Sequence, residues 1–173
     1  MMKTPHSELN VEKFIIFTVA DYRFALPIAE VVQIVNRPAT TPELSKAGLV
    51  QIGRHLIQVV NLHQQLAPEN SPESAEWYPF LVITYHSSEG FYAIPVREPP
   101  NVIEFPQESM QGLPLSHDRS SVLSIASHAA TLDIDRVPAT IFLMDVNRLF
   151  PSRFEMSDRQ LQAQSSERSG TIE

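Results

Sequence analysis

The sequence predicts an all-β protein built from two small barrels that share one hydrophobic core. Three observations lead to this fold class: short runs rich in Val, Ile, Phe and Tyr, prolines between those runs, and a hairpin pattern that occurs twice. The runs occupy 14–19, 22–28, 31–35, 56–62, 80–85, 91–96, 121–126 and 140–146. Each run is short and bounded by turn residues, which is typical of β-strands.

Composition narrows the class of protein. The chain has 173 residues, of which 43% are hydrophobic, enough for a domain with a substantial core. It has no cysteine, so disulfides and Cys-ligated zinc are excluded. The longest early apolar run, "FIIFTVA" (14–20), is too short to span a membrane and wrongly flanked for a signal peptide. We therefore expect a soluble, cytoplasmic protein.

Charge narrows the class of partner. The formal net charge is −7, and no cluster of Lys or Arg stands out along the sequence. Phosphate neutralisation supplies most of the affinity of nucleic-acid-binding proteins, so an acidic chain without a basic patch argues against that function. The composition favours proteins or small molecules as partners.

The first element of the repeat is a β-hairpin. The segment "FIIFTVADYRFALPI" (14–28) matches "FLVITYHSSEGFYAIPV" (80–96), and the extra residues of the second copy fall in its turn. In "YRFALPI" every second side chain points to the same face, which predicts that Leu26 and its equivalent Ile94 both lie in the core. The residues after the first hairpin, 29–36, predict a turn of helix followed by a strand.

The second element of the repeat is a strand that ends in Asn or Asp. The segment "LIQVVNLHQQL" (56–66) resembles "TIFLMDVNRLF" (140–150), with Asn61 in the position of Asp145, and we expect the side chain of Asp145 to cap the turn that follows. The repeat thus defines two intertwined units, at about 14–66 and about 80–150. Each unit has four to five predicted strands, and closing each into a small barrel protects the strand edges.

The segments outside the repeat are polar. Residues 67–77 and 113–121 are predicted to be linkers, because they combine prolines with polar and charged residues. Residues 1–10 lack apolar periodicity and are predicted to be a flexible N-terminus. Residues 152–173 are predicted to be a polar C-terminal tail, in which Phe154 and Leu161 are spaced for a short helix.

The sequence contains none of the common motifs of catalysis or nucleotide binding. There is no G-x-S-x-G, no P-loop, no H-E-x-x-H and no Gly-rich dinucleotide turn. No two histidines have the spacing of metal ligands, since even His55 and His63, which flank one predicted strand, would lie more than about 20 Å apart if it is extended. We therefore predict a protein without enzymatic activity, metal or cofactor.

Three segments occur in an order that is typical of one protein family. They are "FIIFTVADYRFALPIAEVVQIVNRP", "GLVQIGRHLIQVVNL" and "TIFLMDVNRLF". Together they resemble the CheW-like family, the coupling proteins of bacterial chemosensory arrays, over residues 11–151. The resemblance implies two five-stranded β-barrels around a shared core, short helical turns and no enzymatic activity. It implies two partners, the regulatory domain of a CheA-type histidine kinase and the cytoplasmic tip of a methyl-accepting chemoreceptor, which binds near the groove between the barrels.

The resemblance carries over two candidate partner-binding residues, Val31 and Arg54. Val31 matches the aliphatic position after the first hairpin, and Arg54 is nearest to the family's partner-contacting Arg. The family usually has G-V-x-N-L-R-G where this chain has Gln51 and the reversed order Gly53-Arg54. Such departures indicate a divergent member with its own kinase or receptor. The alternatives are a plain core residue for Val31 and a solvated turn residue for Arg54.

These inferences together predict a non-catalytic adaptor that couples chemoreceptors to a CheA-type kinase and joins receptor arrays at the membrane only through its partners. Its output is either swimming or pilus-based motility. The alternative is a β-barrel that binds a small ligand or a nucleic acid. The acidic charge and the lack of an aromatic and basic groove pattern count against the nucleic acid.

Overall fold

A computed structural model describes residues 11–67 and 78–150 of the chain. The strands are β1 (Val11–Val19), β2 (Tyr22–Pro27), β3 (Val31–Asn36), β4 (Leu49–Ile52), β5 (His55–Val59), β6 (Phe80–His86), β7 (Gly90–Val96), β8 (Asn101–Pro106), β9 (Gln111–Gly112), β10 (Ala126–Ile134) and β11 (Val137–Met144). Two short helices are α1 (Pro42–Lys46) and α2 (Leu62–Leu66), and 3₁₀ turns occupy Ile28–Glu30, Gln107–Ser109, Val122–Ser124 and Val146–Arg148. The predicted N-terminal segment, the C-terminal tail with its helix, and most of the 67–77 linker lie outside the described residues.

The strands form two curled sheets. The first sheet has six strands in the order β8-β1-β2-β11-β10-β9, and the second has five in the order β3-β6-β7-β5-β4. The sequence resemblance implies five strands in each barrel, and the sixth strand of the first sheet is the two-residue β9. The all-β prediction is therefore confirmed, with one short strand more than expected.

Each sheet takes strands from both repeats. The first hairpin, β1–β2, lies between β8 and β11 of the second repeat, and the second hairpin, β6–β7, lies between β3 and β5 of the first. The last strand of each repeat runs parallel to the hairpin of the other, with Gln58 opposite Tyr92 and Phe142 opposite Phe24. Both hairpins are consequently central in their sheets, where no backbone edge is left unpaired.

Three apolar clusters fill the two sheets. The central cluster lies between the sheets and takes Leu26 and Phe24 from one and Ile94 and Tyr92 from the other. A second cluster fills the curl of the first sheet around Phe14, Phe105 and Ile141, and a third fills the curl of the second sheet around Leu81, Ile83 and Ala93. Two curled sheets packed on a shared core are what the repeat predicted.

Strand β1 shows why its sequence is continuously apolar. Phe14, Ile15, Ile16 and Phe17 are all buried. Phe14 and Ile16 face the curl of the first sheet, while Ile15 and Phe17 face the central cluster. A strand covered on both faces cannot alternate between apolar and polar residues, so its sequence reads as an unbroken apolar run.

Four strands escaped the sequence prediction, among them β9, whose two residues are too few to form a recognisable run. β8 is an edge strand whose outward side chains, such as Val102 with 57% exposure, are solvated, so "NVIEFP" contains no continuous apolar run. β10 is rich in Ala, which has a weak preference for strands, and the run predicted at 121–126 is mostly a 3₁₀ turn. β4, four residues long, was also missed. The turn and strand predicted at 29–36 are confirmed as Ile28–Glu30 and β3.

The buried side chain of His63 joins the two repeats by hydrogen bonds. The backbone N–H of Ala20 donates to Nδ1 over 3.2 Å, so the ring proton sits on Nε2, which donates to the Pro95 carbonyl at 2.9 Å. The imidazole also stacks on Tyr78 with 3.9 Å between ring centroids. Through this ring, α2 and the first hairpin turn are fixed to β7 of the second repeat.

Two hairpin turns carry an Arg at their second position but differ in backbone geometry. In the β10–β11 turn both Asp135 and Arg136 have positive φ, 52° and 66°, as in a type I′ turn. In the β4–β5 turn only Gly53 has positive φ, at 60°, which fits a type II′ turn with Gly at its first position. The Gly53-Arg54 order is therefore the one this turn requires, and Arg136 carries the steric cost that Arg54 avoids.

We predict that Leu26→Ala and Ile94→Ala each lower the free energy of unfolding by about 2–5 kcal/mol, since both side chains are fully buried in the central cluster. Urea denaturation of the purified variants measures the change. Val102→Ala removes a largely exposed side chain and serves as the control. Loss of stability at only one of the two core positions would contradict their equivalence in the repeat.

We also predict that Arg136→Gly raises the free energy of unfolding by about 1 kcal/mol, because glycine adopts the left-handed region without a Cβ clash. Arg54→Gly is the matched control, since Arg54 lacks a positive φ and gains nothing from the change. Thermal and chemical denaturation of both variants provide the measurement. Equal effects of the two substitutions would show that the turn geometry is not the cause.

Candidate protein-binding site

The described residues contain an open cleft but no cluster of metal ligands. In residues 11–67 and 78–150, no group of three or more His, Asp or Glu side chains could hold a metal ion. No helix among them is long and apolar enough to cross a bilayer. The cleft, of about 590 Å³, is lined by polar side chains such as Gln58, Asn61 and Gln64 and by the apolar side chains of Val59, Val60, Leu149 and Phe150. Sites for small ligands are usually enclosed, whereas this cleft is open to solvent.

The two sheets meet at a junction where four polar side chains come together. Glu30 ends the 3₁₀ turn before β3, Thr84 and Tyr92 lie on β6 and β7, and Asp145 follows β11. The Thr84 hydroxyl donates a hydrogen bond of 2.8 Å to the backbone carbonyl of Glu30. The negative charges of Glu30 and Asp145 both act on the Tyr92 hydroxyl, so these three side chains lie near one another.

Tyr92 is completely buried at this junction. Burial, above all, raises the pKa of its hydroxyl to about 12, and the charges of Glu30 and Asp145 add to the shift. The nearby Thr84 hydroxyl opposes this rise in pKa, but its hydrogen bond is donated to the backbone carbonyl of Glu30. Among the described residues, no group makes a well-formed hydrogen bond with the Tyr92 oxygen. Its ring packs edge-on against Phe150 with 5.0 Å between centroids.

Both carboxylate oxygens of Asp145 have a favourable partner. Its Oδ1 accepts a hydrogen bond of 3.0 Å from the backbone N–H of Asn147, and its Oδ2 lies 3.3 Å from Nε of Arg148. Arg148 donates a further hydrogen bond to the Ala126 carbonyl. In the first repeat, Asn61 accepts from the backbone N–H of Gln64 in the equivalent way. The capping role predicted for Asp145 is confirmed, and the structure adds the same role for Asn61.

The Glu30 carboxylate has no favourable contacts like those of Asp145. Partial burial raises its pKa above the ordinary value of 4.5, and the negative charges of Asp145 and Glu12 raise it further. No basic side chain in the described residues forms an ion pair with it. At the junction three carboxylates, those of Glu12, Glu30 and Asp145, are accompanied by one guanidinium, that of Arg148, so their net charge is negative.

Val31 lies at this junction, at the start of the edge strand β3. Its side chain is half-buried and packs against the central cluster. Three apolar neighbours are more exposed: Ile28 at 43%, Val32 at 52% and Ile34 at 39%. We call Ile28, Val32 and Ile34 the junction strip. Apolar side chains this close together on an edge strand form a surface that a partner can cover.

Arg54 lies on another surface. It is exposed in the β4–β5 turn, next to His55, whose ring lies 6.0 Å from that of Phe91. Phe91 in turn packs edge-on against Tyr85 at 5.2 Å, and these two aromatic side chains are 41% and 52% exposed. We call Arg54, His55, Tyr85 and Phe91 the end patch, because they gather beside the hairpin turns of the second sheet.

The two candidate residues are separated by the width of the second sheet. β3, which begins with Val31, forms one edge, and β4, whose turn contains Arg54, forms the other. From β3 to β5 there are three inter-strand steps of about 4.8 Å, or roughly 14 Å along the sheet. Val31 and Arg54 thus lie on opposite edges of one sheet, whereas Tyr85 of the end patch lies on β6, the strand that pairs with β3.

Comparison with known protein families identifies the fold. The family model described as a CheW-like domain matches residues 13–154, which is most of the chain. The chain belongs to the CheW-like family. The resemblance noted in the sequence is confirmed, and it covers both sheets and both surfaces of this CheW-like chain.

A solved structure shows the same fold. The scaffolding protein TtCheW from Thermoanaerobacter tengcongensis is similar to this CheW-like chain with a TM-score of 0.65. The two are 17% identical, and the similarity covers 88% of this chain and 96% of the other. A comparison with curated proteins finds no match.

Sequence reasoning missed Glu30, Tyr92 and the aromatic side chains of the end patch. One signal for Glu30 was available, because it is the only charged residue between Ile28 and Asn36. A single charge within an apolar segment at the end of a hairpin marks an exposed position. The proximity of Glu30 to Asp145 had no sequence signal, since it arises from the packing of two distant strands.

We predict that Glu30→Gln stabilises the protein at neutral pH. A raised pKa means that the folded state disfavours the ionised form, so the wild-type penalty grows as the pH rises above 4.5 and vanishes when the carboxyl is protonated in both states. Urea denaturation at pH 7 and at about pH 4 tests this. Glu43→Gln on α1 is the control. A gain that is equally large at both pH values would contradict the electrostatic cause.

Proposed function

We propose that this CheW-like chain is a non-catalytic adaptor of a bacterial chemosensory pathway, which couples methyl-accepting chemoreceptors to a CheA-type histidine kinase. The observation that carries the proposal is the family match over residues 13–154. Support comes from two exposed surfaces on one sheet, the junction strip at the edge strand β3 and the end patch, which extends from the β4–β5 turn to Tyr85 on β6. An adaptor must hold two partners at once, and a rigid sheet that carries both surfaces keeps those partners in a fixed relation.

The junction strip is the proposed receptor surface. The cytoplasmic tip of a chemoreceptor is a helical hairpin, and an amphipathic helix binds by laying its apolar stripe on an apolar surface. Ile28, Val32 and Ile34 supply such a surface, while Val31 beneath them packs on the core. Val31 then supports the receptor site from below, and its exposed neighbours make most of the contact.

The end patch is the proposed kinase surface. Exposed aromatic side chains and Arg are the residue types most enriched in the energetically important parts of protein interfaces. Tyr85 and Phe91 supply the aromatic area, and the exposed guanidinium of Arg54 is placed to pair with a carboxylate of the kinase regulatory domain. We propose that the end of this sheet contacts a similar barrel in the kinase regulatory domain.

The proposed site of action is the cytoplasmic face of the membrane, where partners hold the chain in receptor arrays. The output of the pathway is motility, either by swimming or by pili. No cofactor or metal is required for such a role, because the adaptor acts only through the two surfaces and the sheet that joins them.

We predict that Val32→Asp weakens binding to the receptor tip by at least about tenfold and leaves kinase binding unchanged, whereas Arg54→Glu does the reverse. Val32 is the better position to test than Val31, because an Asp at the half-buried Val31 would also place a charge against the central cluster. Titration of each purified variant with a receptor tip and with a kinase regulatory domain from its own cells provides the measurement.

Thermal unfolding serves as the control, since both variants change exposed residues and should unfold at nearly the wild-type temperature. The Val31→Asp variant belongs in the same series and is expected to combine lost receptor binding with a lower unfolding temperature. A folded variant that loses both partners, or two folded variants that keep both, would contradict the model of two separate surfaces.

A further inference from the structure

The junction strip has an acidic residue in its middle. Glu30 lies between Ile28 and Val32 in the sequence and is exposed beside them. Any partner that covers the apolar side chains must therefore also place some group against this carboxylate. The chemistry of that group follows from the charges that surround it.

The surroundings of Glu30 are negative. Strand β1, which carries Glu12, contacts the 3₁₀ turn that carries Glu30, and Glu12 and Asp145 both raise the pKa of Glu30 as like charges. Arg148 is paired with Asp145 at 3.3 Å and Lys13 with Glu104 at 3.6 Å, so neither pair adds a net charge that could offset Glu30 and Glu12. Glu12 accepts a hydrogen bond from the uncharged amide of Gln107, which leaves its charge in place. A carboxylate on the partner would be repelled here, and a cation would be attracted.

The chemistry of the carboxylates points to the same charge. The Tyr92 oxygen is buried beyond the reach of a partner, so the groups left for a partner here are the carboxylates of Glu30 and Glu12. Carboxylates accept hydrogen bonds and donate none. Lys and Arg carry several N–H donors and no acceptor, and they are the side chains that suit such a site.

We propose that the junction strip selects an amphipathic helix whose apolar stripe is flanked by Lys or Arg facing Glu30 and Glu12, and that it rejects the same helix with acidic flanks. The proposal rests on the receptor-binding role given to the strip above and adds the chemistry by which it chooses a receptor. Residues one helical turn apart lie about 5–6 Å from each other, so a basic residue beside the apolar stripe can reach Glu30 while the stripe covers Val32 and Ile34.

Two synthetic helical peptides test this proposal directly. They share one apolar stripe of Leu and Ile and differ only in the flanking positions, which are Lys in one peptide and Glu in the other. Binding to the full chain is measured by fluorescence anisotropy at low and at high salt. We expect the Lys peptide to bind at least about tenfold more tightly at low salt, and we expect the difference to shrink as salt screens the charges.

Charge reversal identifies the residue responsible. Glu30→Lys should invert the preference between the two peptides. Glu43→Lys changes the net charge by the same amount on α1, which packs beside β4 at the opposite edge of the sheet, and should leave the preference unchanged. Inversion by the Glu30 variant alone supports the proposal. Absence of binding by either peptide, absence of a charge preference, or equal effects of the two variants would overturn it.

The outcome can be separated from that of the proposed function. If the chain recovers a receptor and a kinase from its own cells but shows no charge preference for the peptides, the selectivity is wrong and the adaptor role stands. If the peptides show the preference but neither partner is recovered, the adaptor role is wrong and the strip is a surface for basic helices of another kind.

Discussion

The parallel pairing of each repeat's last strand with the other repeat's hairpin is the constraint on which the structure depends. β5 joins β7 at Gln58 and Tyr92, and β11 joins β2 at Phe142 and Phe24. Because of this exchange, both hairpins are central strands, and each sheet is completed only by the other repeat. The same pairing brings Leu26 and Ile94 from opposite sheets into one apolar cluster. Neither repeat has a complete sheet or a complete core without its partner.

The exchange also decides which surfaces face outward. With the hairpins in the centre, β3 is left at one edge of the second sheet and β4 at the other. The exposed apolar side chains of β3 lie at one edge and Arg54 at the other, and the aromatic side chains of the end patch lie on the hairpin between them. The proposed adaptor role depends on such a fixed arrangement, because an adaptor holds its partners in a set relation. The buried ring of His63 adds rigidity by tying α2 to both repeats.

The junction between the sheets contains one carboxylate that is stabilised by its contacts, Asp145, and one that is not, Glu30. Asp145 has two favourable contacts, a backbone N–H and a guanidinium, and it helps to end β11 correctly. Glu30 gains no comparable contact and lies in the negative field of Asp145 and Glu12. Local destabilisation of this kind, beside exposed apolar side chains, is typical of surfaces that a partner completes, which fits the binding role proposed for the junction strip.

Local periodicity in the sequence determined the strand character of both hairpins and the burial of Leu26 and Ile94, and an Asx at the end of a strand predicted the cap at Asp145. All of these depend on residues close along the chain. Family resemblance supplied Val31 and Arg54 as candidates, and their binding roles stay predictions. Only the tertiary structure decided the exchange of strands and the meeting of Glu30, Tyr92 and Asp145. The reason is that alternation reports which face of a strand a side chain occupies, whereas strand neighbours are chosen by the packing of the whole chain.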